Sequence, residues 1–68
     1  MNKEELHARI RIALLTSGPL TSAQLEKELG MKWTDFSPFL MEMIRSLFNP
    51  QGEVIQKKEE GVTTYKLA

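Results

Sequence analysis

The sequence predicts an α+β domain in which three helices precede a β-hairpin. Two patterns point to it. Apolar residues recur at helical spacing in three stretches that Gly and Pro punctuate, and the last stretch switches to the period-two, β-branched pattern of paired strands. Length limits the answer further. With 68 residues and no cysteine, the chain has room for one core and no covalent staple, so residues 1–68 form a single domain.

In the first stretch Leu6, Ile10, Ala13, Leu14 and Ser17 share one helical face. Asn2 suits the N-cap, Glu4 and Glu5 favour the first turn, and Gly18-Pro19 stops the helix, which is expected over about 3–16. A second stripe, Ala8, Ile12 and Leu15, flanks the first. Two readings are open for it: a wide core-facing surface, or a dimer interface. Thr21-Ser22-Ala23-Gln24 reads as a capping box that starts a second helix over about 22–29, with Ala23, Leu25 and Leu29 apolar and Gly30 as the left-handed end.

Phe36, Leu40, Met43, Ile44 and Leu47 mark a third helix, expected over about 34–48 with Thr34 as N-cap and Asp35 in the first turn. Pro38 is the anomaly, because within a helix it removes a hydrogen bond. Either the helix starts at Ser37 with Pro38 at the first position, or its first turn is loose. Asn49-Pro50-Gln51-Gly52 is a turn cluster. Residues 53–67 then read as a hairpin with a charged tip, Tyr65 and Leu67 facing the core, and a third strand if Pro19-Leu20 pairs with it.

Composition excludes several classes of function. Nine Lys plus Arg balance nine Asp plus Glu, so no basic block announces nucleic acid. Without cysteine, and with His7 as the lone histidine, neither a thiolate nor a histidine-cluster metal site is expected. No phosphate loop, nucleophile elbow or acid–base pair stands out, so neither enzyme activity nor a cofactor is expected. His7, Glu26, Glu28, Asp35 and Glu42 read as solvated surface. No apolar run is long enough to span a membrane, and an N-terminus rich in Glu does not suit a signal peptide, so a cytoplasmic protein is expected.

The order of elements, together with Pro19-Leu20-Thr21-Ser22-Ala23-Gln24-Leu25-Glu26-Lys27-Glu28-Leu29-Gly30-Met31, resembles the winged helix-turn-helix domains of compact prokaryotic regulators. Phe36, Leu40 and Met43 fit the third helix of that pattern, and Thr64-Tyr65-Lys66-Leu67 fits its second wing strand. The resemblance covers nearly the whole chain. It implies a small DNA-binding transcriptional regulator whose third helix enters the major groove of double-stranded DNA; a homodimer through Ala8, Ile12 and Leu15 is a separate expectation from the second apolar stripe. It assigns base reading to Lys32, Trp33, Thr34, Asp35, Ser37 and Met41, and phosphate contacts to Ser22, Gln24, Lys57 and Lys58, with Arg9 and Arg11 in reserve.

The sequence departs from the family chemistry at that face. No arginine stands among the base readers, Pro38 occupies a position that is often polar or basic, and Glu59 and Glu60 offset Lys57 and Lys58. Lys57 and Lys58 equally suit a defended edge strand. Trp33 suits either a staple across the first turn of the third helix or a binding surface. The alternative function is therefore a winged-helix protein-interaction module with little DNA affinity.

Overall fold

A computed structural model describes residues 1–68. The order is α1 (Lys3–Ser17), β1 (Leu20–Thr21), α2 (Ser22–Leu29), α3 (Trp33–Met43), β2 (Val54–Glu59) and β3 (Val62–Leu67). The domain is α+β: three helices and an antiparallel sheet of order β1-β3-β2, with the β2–β3 hairpin forming the wing.

The first two helices follow their caps. Asn2 Oδ1 accepts from Glu5 N–H at 2.8 Å. Thr21 and Gln24 form the reciprocal capping box, and Gly30 ends α2 at φ 65°. Leu20 pairs with Tyr65 and Thr21 with Thr64, so the extended link before α2 becomes the third strand. Twelve apolar residues make one core, from Leu6, Ile10, Ala13 and Leu14 on α1 to Phe36, Leu40 and Met43 on α3, with Val54 and Tyr65 from the hairpin. Leu67 packs at its margin. Ser17, Ala23 and Leu47, expected on apolar faces, are exposed.

Helix α3 differs from expectation at both ends. It begins at Trp33 with Lys32 as N-cap, so Thr34 lies inside it and caps nothing. The cap comes from another helix: Glu26 Oε2 accepts from Trp33 N–H at 2.8 Å. Pro38 is accommodated in neither expected way, since it sits within the regular helix. Its missing N–H would have bonded the Thr34 carbonyl, and Thr34 is on the surface, where water can take that acceptor.

The helix ends at Met43, five residues before the expected Phe48. Ile44 is extended and bridges Val54, and Arg45 N–H donates to the Val54 carbonyl at 2.7 Å. Continuing the helix would strip the buried Val54 of that donor, at a cost of about 1–3 kcal/mol. Helix propensities differ by less than about 0.7 kcal/mol per residue and cannot outweigh it. Asn49 Nδ2 then donates to the carbonyls of Glu42 and Ile44 at 3.0 Å, satisfying the end of the helix.

Gly52 makes this close approach possible. A Cβ built on it would lie 2.5 Å from Arg45 N and 2.6 Å from Arg45 Cα, both backbone atoms. Gly52→Ala is therefore expected to destabilise the domain by roughly 1–3 kcal/mol in urea unfolding, because the strain falls on backbone that cannot rotate away.

Candidate nucleic-acid interface

Strand β3 brings together the start of α2, the start of α3 and the hairpin. Thr21, Thr64 and Lys57 are cross-strand neighbours, so the sheet fixes the start of α2 beside the wing. At the next position Tyr65 meets Trp33, with ring centroids 6.0 Å apart, and Trp33 meets Phe36 edge-on at 5.3 Å. That stack sets the first residue of α3 against the same strand. The N-termini of α2 and α3 and the hairpin are therefore joined around Thr64 and Tyr65.

Ser22, Gln24, Lys32 and Thr34 are exposed at the two helix starts, and Ser37 is half-buried one turn into α3. Gln24 spends its Oε1 on Thr21 N–H, at 2.9 Å, leaving its amide NH2 for a ligand. Trp33 is half-buried in the aromatic stack, so it buttresses the face and offers one edge to it. Met41 is exposed toward the far end of α3, while Met31 packs on the core and Met43 is buried within it. Lys58 and Lys66 stand on the wing without an acidic partner.

Other cations are engaged within the fold. Lys57 Nζ pairs with Glu59 at 2.8 Å. Arg11 is held bidentate by Glu53, at 2.5 and 2.9 Å, and Lys3 pairs with Glu42 at 2.6 Å. Arg9 donates to the Leu29 carbonyl at 2.7 Å and closes the end of α2. Arg9 and Arg11 are thus engaged as ties within the fold, and Lys57 is a paired charge rather than a free one. The carboxylates answer in their acidities. The hydrogen bond from Arg11 holds Glu53 below the usual carboxylate range, Lys3 does the same for Glu42, and Lys57 for Glu59. Burial pushes the Tyr65 hydroxyl up.

Three functional contacts carried no periodic signal. Glu26 read as a water-facing acid yet caps α3 across the turn. Asn49 read as turn former yet also caps the end of α3. His7 packs edge-on against Phe39 at 6.4 Å, and its Nε2 is enclosed without a hydrogen bond from the protein. Of the second α1 stripe, Ala8 is half-buried, whereas Ile12 is 61 % and Leu15 72 % exposed. Ile12 and Leu15 therefore lie outside the core. No group of three or more acidic or histidine side chains is placed to hold a metal ion, and no helix is long and apolar enough to cross a membrane.

No protein-family model, curated protein or solved structure matches the chain.

Two outcomes test this geometry. Glu26→Ala should lower stability by about 1 kcal/mol in chemical denaturation through loss of the α3 cap, and Glu26→Gln, which keeps an acceptor oxygen, should recover most of it. The lowered carboxylates fix the sign of the acid response. Their stabilisation is present at neutral pH and is lost as pH falls from the unfolded-state value, about 4.3 for Glu, through the lower folded values. Thermal melts should therefore show Glu53→Gln less stable than the native chain at pH 7, with the gap closing by about pH 2.

Proposed function

We propose that this chain is a small double-stranded-DNA-binding regulator of winged-helix type, acting in the cytoplasm as a homodimer. The observation that carries this reading is the convergence of both helix N-termini with the wing around β3. Helix N-termini present free N–H groups and the positive end of the helix dipole, which suit phosphate at Ser22 and Gln24. Lys32, Trp33, Thr34 and Ser37 carry side-chain donors for base edges at the start of α3. Lys58 supplies a wing contact to the backbone, with Lys57 available when phosphate displaces Glu59. Pairing through the exposed α1 face of Ile12 and Leu15, with Ala8 beside them, would set two such faces on one duplex.

The charge balance sets the strength. Few unpaired cations stand on this face, so few counterions are released and a single domain binds weakly, within the non-specific range of about 10⁻⁴–10⁻⁶ M. Fluorescence anisotropy with a labelled duplex at low salt tests this directly. Affinity should fall with salt, and Lys32→Ala and Lys58→Ala should each reduce the slope of log K against log salt by about 0.9. Lys57→Ala should change it less, because Glu59 already neutralises that charge. Absence of binding below about 100 μM at low salt would sink the reading.

A protein-interaction module is the second reading. The specific observation in its favour is the exposure of large apolar side chains away from the β3 face, with Leu47 at 97 % and Phe48 at 98 %. A flat DNA titration would leave this reading in possession.

A further inference from the structure

Between α1 and α2 lies a groove of about 250 Å³, lined by Arg9, Ile12, Ala13, Thr16, Glu28 and Leu29. The four α1 residues recur at three- and one-residue steps and form one strip along the helix, while Glu28 and Leu29 close the other side from the end of α2. Ala13 and Leu29 belong to the core and make an apolar floor. Ile12, 61 % exposed, makes an apolar wall that the fold leaves uncovered. The volume lies below the roughly 300–1,000 Å³ of a drug-sized pocket, so it suits a small occupant.

Opposite charges stand at the two ends of this groove. Arg9 donates to the Leu29 carbonyl at 2.7 Å and to Met1 Sδ at 3.5 Å, which leaves N–H donors of its guanidinium free, and no carboxylate neutralises it. Glu28 accepts from Ser17 Oγ at 3.2 Å and has no cationic partner. On α1, Arg9 and Ser17 are separated by about 12 Å along the helix axis, at 1.5 Å per residue. The groove therefore offers a cation at one end, an anion at the other and apolar surface between them. Thr16 adds an exposed side-chain hydroxyl beside that surface.

We propose that this groove binds a short apolar peptide with free ends, about three residues long. The peptide carboxylate meets Arg9, its ammonium meets Glu28, and its small apolar side chains cover Ile12 above the Ala13–Leu29 floor. Charge complementarity and length together favour this occupant. Three extended residues span roughly 10 Å, and the flexible reach of the Arg9 and Glu28 side chains spans the remainder. A single amino acid carries both charges on one carbon and meets only one end of the groove. A fatty carboxylate or an alkylamine leaves the charge at the other end without a partner. The guanidinium of Arg9 suits a carboxylate through paired N–H donors, and the Thr16 hydroxyl can serve a peptide amide. The site is independent of the DNA reading, and it shares only Ile12 with the proposed α1 pairing face.

An NMR titration of the full labelled chain with the tripeptide alanyl-valyl-alanine tests it. Saturable shifts are expected at Arg9, Ile12, Ala13, Thr16, Glu28 and Leu29, with a dissociation constant of roughly 1 mM. The N-acetylated peptide and the C-terminal amide each lack one charge, and each should bind about fivefold more weakly, the value of one exposed ion pair. Glu28→Gln, at an exposed position, should weaken the free peptide by the same factor and abolish the difference between free and acetylated peptides while leaving the amide effect in place. Three results would overturn the proposal: no saturable shift at 20 mM peptide, blocked peptides binding as tightly as the free one, or an acetylation effect that survives Glu28→Gln.

Discussion

The antiparallel pairing of β3 with β1 on one side and β2 on the other is the constraint on which the rest of this small structure depends. β1 is only two residues long, yet it converts Leu20 and Thr21 from a link into a fixed point at the start of α2. Tyr65, buried beneath that pairing, receives Trp33 and thereby fixes the start of α3. A domain of this size buries only about 60 % of its unfolded surface, so it has little stability to spare for elements held by propensity alone. Every element here is held by a partner. Glu26 holds α3 from α2, Arg9 holds the end of α2 from α1, and Arg11 holds the segment before β2 through Glu53.

These ties explain where the balanced charge goes. Lys3, Arg11 and Lys57 face carboxylates inside the fold, and the unpaired lysines stand apart on the turn, the helices and the wing. Exposed pairs contribute little to stability individually. Of the three, only Lys57–Glu59 lies on the wing, where it keeps the hairpin polar without making it strongly positive. Under the proposed DNA-binding reading, such a face would position a ligand through helix N-termini and a few lysines rather than draw it in through long-range attraction.

Most of the architecture was legible because it was encoded locally. The Asn2 cap, the Thr21–Gln24 box and Gly30 set α1 and α2 within a residue of expectation, and the alternation after Gly61 placed Tyr65 in the core. The errors fall where a distant partner overrides a local signal. Leu47 continues the periodicity of α3, but the Val54 carbonyl claims Arg45 first and Gly52 permits the approach. Thr34 is a good cap by type, but Glu26 reaches the N-terminus one residue earlier. At the candidate face, the sequence named Ser22, Gln24, Lys32 and Thr34, all four exposed at the two helix starts. It could not indicate that Arg9, Arg11 and Lys57 are already engaged, because that depends on which acids the fold brings within reach.

On the proposed reading, β3 assembles the starts of α2 and α3 and the wing into one surface that would face DNA. An NMR titration of the isotopically labelled chain with a short nonspecific duplex tests it most directly. Amide shifts are expected to concentrate at Ser22–Gln24, Lys32–Thr34, Lys57–Lys58 and Thr64, while Ile12, Leu15 and Phe48 stay in place. Shifts confined to Leu47–Phe48 and α1, or none at millimolar DNA, would contradict it.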